Sequence, residues 1–271
     1  MTAWVNGRRA RRIDCRDRGL QYGDGLFETM RVRHGVVRLL EYHLERLYSG
    51  CRRLAIEPPA QGRLRGEIAR VAALRRDAVL KLIVSRGVGA RGYRPSGRER
   101  CTRILCLGAL PPHADPRAPV RLRICRLRLA ANPGLAGLKT LNRLESVLAR
   151  AEWRDPRVLE GLMLDTDGNL VCGTMSNLFV RRGSRLTTPL LDRCGVEGVM
   201  RRFVLELAPR LGLQPAMRRL RLQDLGAAEE IFMSNAVAGI MPVGEIRQRA
   251  LRIRPAGFEA ARALRAHLDA L

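Results

Sequence analysis

The sequence predicts an α+β protein of two domains, and three observations carry that prediction. The chain has 271 residues, roughly two domains at about 100–200 residues each. Four prolines crowd into Pro111-Pro112-His113-Ala114-Asp115-Pro116-Arg117-Ala118-Pro119. Strand and helix periods alternate on either side without the regular βαβ order of a doubly wound sheet. Proline fixes φ and offers no amide donor, so 111–119 reads as a linker between a smaller domain, 1–110, and a larger one, 120–271.

The first segment reads β-β-α-α-β-β. Ala3 to Val5 run as a strand into Asn6-Gly7, a tight-turn pair. Leu26 to Arg33 is strand-like, and His34-Gly35 turns it into Val36 to Leu40. Leu40, Leu44, Leu47, Cys51 and Leu54 step by four and three, one face of a helix. Leu64, Ile68, Val71 and Leu74 repeat the step. Ala78 to Ser85 and Arg103 to Leu107 are rich in Ile, Leu and Val and read as strands.

In the second segment Val120, Leu122 and Ile124 alternate with Arg121, Arg123 and Cys125, a half-buried strand. A helix is expected over about Asn142 to Trp153, with Leu144, Val147, Leu148 and Ala151 on one face. Leu162 to Leu164 and Leu170-Val171 flank the Asp167-Gly168 turn, and Leu178 to Val180 and Leu186 to Thr188 flank Arg182-Gly183. Both read as hairpins. A helix runs from Val199 to Leu211, a short strand from Glu230 to Ser234, and an amphipathic helix from Phe258 to Leu271.

Composition removes several function classes. No apolar run approaches the ~20 residues of a membrane span, and the first twelve residues lack the apolar stretch of a signal peptide. Seven cysteines show no paired metal spacing, so no metal is expected, and reduced thiols in a cytoplasmic protein are the reading. The net charge of +24 keeps an arginine-rich nucleic-acid binder as a third function class. Against it, acidic residues are interleaved throughout, and aromatic residues, which make stacking platforms, are only 4%.

Of 50 basic side chains only Lys81 and Lys139 are lysines. Lysine can lose its proton and form a Schiff base, whereas arginine stays charged. Lys139 lies between a glycine-containing loop and a helix. Lys81 sits in a strand, opposite in phase to Leu80 and Leu82, where solvent is expected. Amine chemistry needs an electron sink such as pyridoxal phosphate, whose phosphate needs helix-start amides and a fixed cation. Gly195–Arg201 and Ser234–Gly239 are candidate phosphate loops.

These residues resemble, in order and over nearly the whole chain, the fold-type IV pyridoxal-phosphate enzymes. That family includes branched-chain and D-amino-acid aminotransferases and 4-amino-4-deoxychorismate lyase. Asp17–Thr29 resembles its opening motif, and His43-Leu44-Glu45-Arg46-Leu47 the helix whose arginine binds the cofactor phosphate. Leu138–Arg143 resembles the Schiff-base lysine region, and Gly173–Phe179 the strand beside the pyridine ring. Gly198–Arg201 and Ile231–Ala236 resemble the phosphate loops.

The resemblance implies a homodimer with pyridoxal 5'-phosphate between the domains. Lys139 is then the catalytic and cofactor-bearing residue. Arg46, Cys172, Asn177, Val199, Met200, Ser234, Asn235, Ala236 and Val237 are the cofactor-binding set. Within the family, Lys139–Glu145, with Arg143 where aminotransferases commonly have tyrosine, resembles the lyase. So does Ser85–Tyr93, which places Arg91 and Tyr93 as substrate residues for a dicarboxylate. The implied reaction is elimination of pyruvate from 4-amino-4-deoxychorismate; a D-amino-acid or branched-chain aminotransferase is the alternative. One position departs from the pattern. The family's Glu at the pyridine nitrogen falls on Cys172, five residues before Asn177. A neutral thiol is a poor substitute for a carboxylate, so either Glu160 or Asp165 fills in, or the chemistry needs a weaker sink.

Overall fold

The structure, a computed structural model, describes residues 1–112, 118–248 and 251–270. Residues 113–117 of the expected linker and Leu271 of the expected last helix lie outside the described residues. Two compact units form. The first joins Met1–Pro112 with Lys139–Asn142, and the second holds the described residues from 118 to 138 and from 143 onward. Chain order alone places the lysine in the larger domain, 120–271. Packing instead groups Lys139–Asn142 with the smaller one.

The first unit runs β1 (Thr2–Val5), β2 (Arg8–Arg9), α1 (Arg18–Tyr22), β3 (Gly25–Arg33), β4 (Val36–Val37), α2 (Leu40–Arg53), α3 (Gln61–Ala72), β5 (Ala78–Ser85) and β6 (Thr102–Gly108). Its six-stranded sheet has the order β2-β1-β6-β5-β3-β4. β3, β5 and β6 pair antiparallel, with Thr29 opposite Lys81 and Lys81 opposite Cys106. The period-two pattern buries Leu26, Glu28, Met30 and Val32 on one face of β3. The helical stripe Leu44, Leu47 and Cys51 joins them in one core with Leu64, Ile68 and Val71. Apolar area leaving water drives this assembly at about 25 cal/mol per Å².

The second unit runs β7 (Val120–Leu129), α4 (Leu144–Arg150), β8 (Val158–Asp165), β9 (Leu170–Gly173), β10 (Asn177–Arg182), β11 (Arg185–Pro189), α5 (Val199–Leu207), β12 (Gln214–Arg218), α6 (Leu222–Gly226), β13 (Glu230–Asn235), β14 (Gly239–Gln248), β15 (Leu251–Ile253) and α7 (Glu259–Asp269). Its nine-stranded sheet is ordered β12-β11-β10-β13-β14-β7-β8-β9, with β15 beside β14. Parallel and antiparallel pairs mix, as an α+β fold allows.

Four side chains or stretches depart from the periodic reading. Leu74 is exposed because α3 has already ended at Ala72. Cys125 is buried because β7 shifts register against β8 between Ile124 and Arg128, turning the next side chain inward. The Val199–Leu211 helix stops at Leu207, where Pro209 cannot continue the α ladder and a 3-10 turn follows. On α4 the apolar stripe faces outward: Leu144, Val147 and Leu148 are 69%, 60% and 53% exposed, while Ala149 is buried.

Candidate active site

In the first unit, Lys139 is delivered to the open edge of β3. The Phe27 amide donates to the Lys139 carbonyl at 3.0 Å and the Leu141 amide to the Gly25 carbonyl at 3.0 Å. Leu26 bridges Thr140. This short pairing sets the lysine over the outward face of β3, with Nζ 4.2 Å from the Phe27 ring centre. Lys81 lies on the same sheet face, half-buried rather than solvated, with its Nζ 5.0 Å from that ring. The two lysines of the chain thus share one aromatic neighbour.

The opposite face of β3 carries a buried acid. Glu28 holds a core position between Leu26 and Met30, where an unpaired carboxylate would be costly. Helix α2 supplies its partners from His43 and Arg46, three residues apart on one helical face. His43 Nδ1 lies 2.6 Å from Glu28 Oε2, and Arg46 Nε donates to Oε1 at 2.8 Å. Arg46 Nη2 closes the fork on Oε2. Burial alone would raise the Glu28 carboxyl, but the Arg46 charge and the His43 hydrogen bond outweigh it and hold it at about 2. Burial depresses His43, against the opposing pull of Glu28, so the ring is neutral near pH 7. A carboxylate can only accept, so Nδ1 carries the proton. His43 also feels the Lys139 charge.

The sequence reading names Arg46 and Lys139 as site residues but not Glu28 and His43, which the structure places beside Arg46. The available signal was a carboxylate in core phase on a strand, which demands a partner.

The second unit supplies a cup. Helix α5 begins after Gly198, which has no side chain to cap the first-turn amides of Val199 and Met200. Asn177, at the start of β10, pairs across the sheet with Ser234 of β13. Asn177 Nδ2 donates to the Val196 carbonyl at 2.9 Å. A Cβ on Gly198 would stand 2.0 Å from Asn177 Oδ1, so only glycine lets the turn close on this brace. Ser234 is 1% exposed and its Oγ is a buried hydroxyl without a hydrogen-bond partner. Asn235 Oδ1 accepts from the amides of Val237 at 3.0 Å and Ala238 at 2.7 Å, which tightens the loop. The Val237 amide, expected to point at a phosphate, is therefore shared with this turn. Uncapped helix-start amides, an orphaned hydroxyl and a small-residue loop fit a phosphate group.

Cys172 lies on β9, opposite Met163. Burial, and then the charge of Glu160, push its thiol well above the ordinary range. Glu160 is fully buried and its oxygens are occupied. Oε1 accepts from the amides of Gly161 and Thr174 at 2.9 Å each, and from Thr174 Oγ1 at 2.5 Å. Oε2 accepts from the Met175 amide at 3.1 Å and Ser176 Oγ at 2.6 Å. Asp165 Oδ1 accepts from the amides of Asp167 and Asn169, and Oδ2 from Asn169 Nδ2, so it caps its own hairpin turn. Asp165 is thus engaged in its own hairpin turn, and Glu160 in the segment 174–176 between β9 and β10.

Arg91 and Tyr93 stand on an exposed loop of the first unit. The Tyr93 ring meets Tyr22 edge-on at 5.5 Å.

The sequence profile of the amino-transferase class IV family matches residues 25–246. An aminodeoxychorismate lyase of Vibrio harveyi is 36% identical over 246 residues, which is 90% of each chain. A putative branched-chain-amino-acid aminotransferase of Methanocaldococcus jannaschii is 33% identical over 266 residues, 95% of this chain and 92% of its own. Among solved structures, 4-amino-4-deoxychorismate lyase from Pseudomonas aeruginosa is 48% identical with a TM-score of 0.92, covering 99% of this chain and 98% of its own.

Proposed function

Because the chain belongs to the class IV aminotransferase family, we propose that it is an aminodeoxychorismate lyase. It converts 4-amino-4-deoxychorismate to 4-aminobenzoate and pyruvate, a step toward folate. The observation that carries the reading is Lys139, docked on Phe27 at the edge of β3, whose other face holds Glu28, His43 and Arg46. The 48% identity with the Pseudomonas lyase over nearly the whole chain supports the same activity.

The cofactor is pyridoxal 5'-phosphate, which supplies an electron sink to a carbon bearing an amine. Lys139 would carry it and Arg46 would face its phosphate, and the amides of Val199, Met200 and Ala236 with the Ser234 hydroxyl would bind phosphate oxygens. Asn177 and Asn235 shape that cup, and Cys172 stands where relatives place glutamate.

Lys139 does the proton work. Its amine, when free, would take the proton from the carbon that carries nitrogen. The bond from the adjacent carbon to the enolpyruvyl oxygen then breaks, and the ring becomes aromatic. Lys139 returns a proton to the enolpyruvate carbon, giving pyruvate. Arg91, with Tyr93 beside it, pairs a substrate carboxylate through a planar fork.

The test is to supply the purified protein with 4-amino-4-deoxychorismate and no 2-oxo acid. Equal formation of 4-aminobenzoate and pyruvate is expected. Product formed only with an added 2-oxo acid acceptor would favour the aminotransferase reading, which the Methanocaldococcus jannaschii relative carries in its name.

Cys172 separates the two activities. A neutral thiol cannot hold the ring nitrogen as a full cation, so the sink is weaker. Aromatisation compensates in the elimination but not in transamination. Cys172→Glu is therefore expected to raise transamination relative to elimination about tenfold or more, measured as amino-acid-dependent against acceptor-free turnover. Strong transamination in the unmutated protein would reject this account.

The same reading makes the protein a cytoplasmic homodimer. The cysteines are free thiols, which suits a reducing compartment, and no described helix is long and apolar enough to cross a membrane. The outward stripe of Leu144, Val147 and Leu148 on α4 is apolar surface that a second copy would cover. Leu148→Glu places a charge in that stripe. It is expected to shift the protein toward a single 30.3 kDa chain in sedimentation, with unchanged far-ultraviolet circular dichroism. An unaltered sedimentation coefficient would place the interface elsewhere.

A further inference from the structure

We propose that Arg18 is a positioning residue for substrate recognition, holding the loop that presents Arg91 and Tyr93. The inference rests on reading those two residues as substrate-binding. Arg18 is an arginine whose side chain is only 3% exposed, and such burial is costly unless every donor is used. Its Nε donates to Asp24 Oδ2 at 2.9 Å, its Nη1 to the Gly92 carbonyl at 2.8 Å and its Nη2 to the Tyr93 carbonyl at 2.8 Å. The guanidinium carbon lies 4.9 Å from the centre of the Tyr22 ring.

The neighbourhood repeats the same attachment. The Arg18 amide donates to the Gly87 carbonyl at 2.9 Å, and the Gly92 amide to Tyr22 Oη at 3.0 Å. Gly89 packs on the arginine stem, where a Cβ would stand 2.8 Å from Arg18 Cδ. α1 therefore grips the loop at both ends.

The loop gives nothing back to the core, since residues 90–98 are all exposed. Anchoring it does not serve packing. It serves what the loop displays, and the two carbonyls Arg18 holds belong to the residue after Arg91 and to Tyr93 itself. A loop ordered before binding spares the substrate that ordering cost. Its loss should appear in KM more than in kcat.

Asp24 makes the test clean. It also accepts from Arg86 Nε at 2.7 Å and Nη2 at 3.0 Å, so removing Arg18 leaves no carboxylate unpaired. Arg18→Met is expected to raise KM for 4-amino-4-deoxychorismate about tenfold, with kcat and pyridoxal-phosphate affinity within about twofold of wild type. Limited trypsinolysis, mapped by mass spectrometry, should cut faster after Arg91. Arg18→Lys should not rescue KM, because one ammonium cannot serve three acceptors in a fork. Gly89→Ala keeps every polar partner but displaces the arginine stem, and should show the same KM rise and faster cleavage if Arg18→Met fails to fold.

Unchanged KM and cleavage in these variants would overturn the proposal. So would a joint fall in kcat and cofactor affinity, which marks a purely structural role. Arg91→Ala and Tyr93→Phe separate the two levels. If they raise KM while Arg18→Met does not, the positioning role alone fails. If they leave KM at the wild-type value while Arg18→Met still speeds cleavage, the substrate reading of the loop fails and the proposal falls with it.

Discussion

Lys139→Ala is expected to abolish turnover, by about 10³-fold or more, together with the visible absorbance that borohydride bleaches. The reason is chemical rather than steric. Lys139 is the amine that the β3 edge sets over Phe27, and alanine offers neither a covalent hold on the cofactor nor a base. Lys139→Arg is the sharper variant. It preserves positive charge over an aromatic ring, yet arginine keeps its proton and does not bond to the cofactor. It should be as inactive as alanine while retaining thermal stability. Peptide mapping after borohydride should place the tag on Lys139. Because Lys81 approaches the same ring, a tag on Lys81 would reverse the assignment.

Arg46→Ala is expected to cost both cofactor and stability. Glu28 has a side chain only 2% exposed and two partners, His43 and Arg46. Removing the guanidinium leaves a buried carboxylate with a neutral imidazole. Breaking a buried pair from one side typically costs about 3–5 kcal/mol. Urea unfolding at pH 7 should show that loss in the apoprotein, and the dissociation constant for pyridoxal phosphate should rise in parallel. The sign of the pH dependence follows from Glu28. Its folded value of about 2 lies below its ordinary 4.5. The pair's contribution is therefore fully present above 4.5 and lost as pH falls toward 2. The stability gap between wild type and Arg46→Ala should narrow over that window. A gap that stays constant would mean Arg46 stabilises by packing alone.

Much of the site was legible in the sequence because it lies in short contiguous motifs. Asn177, Gly198 and Ser234 each sit near a strand terminus or at the start of a helix, where a local pattern fixes backbone geometry. What could not be read was which motifs share a unit. Only the pairing of Phe27 with Lys139 shows that the lysine segment completes the smaller unit. Glu160 illustrates the other limit. It was a candidate for the ring nitrogen by residue type, and only its five hydrogen bonds to residues 161 and 174–176 show its oxygens already occupied.

The sequence by itself determined the strands with clean alternation, the helices with clean three–four steps and the order of the motifs. β5 spans Ala78–Ser85 as its Ile, Leu and Val content predicts, and α2 (Leu40–Arg53) carries the stripe from Leu40 to Cys51 with Leu54 as its C-cap. The tertiary structure alone decided where each face went. β14 is a central strand that went unrecognised because Pro242 and Gly244 interrupt it. Its neighbours β13 and β7 hold it in place, with a register shift between Val243 and Glu245. The stripe on α4 has the period read from the sequence, which did not say where the stripe faces; Leu144, Val147 and Leu148 point away from the core. The physical reason is common to both. Periodicity records which side chains share a face, but burial is a property of the partner surface, and that partner comes from elsewhere in the chain or from another chain.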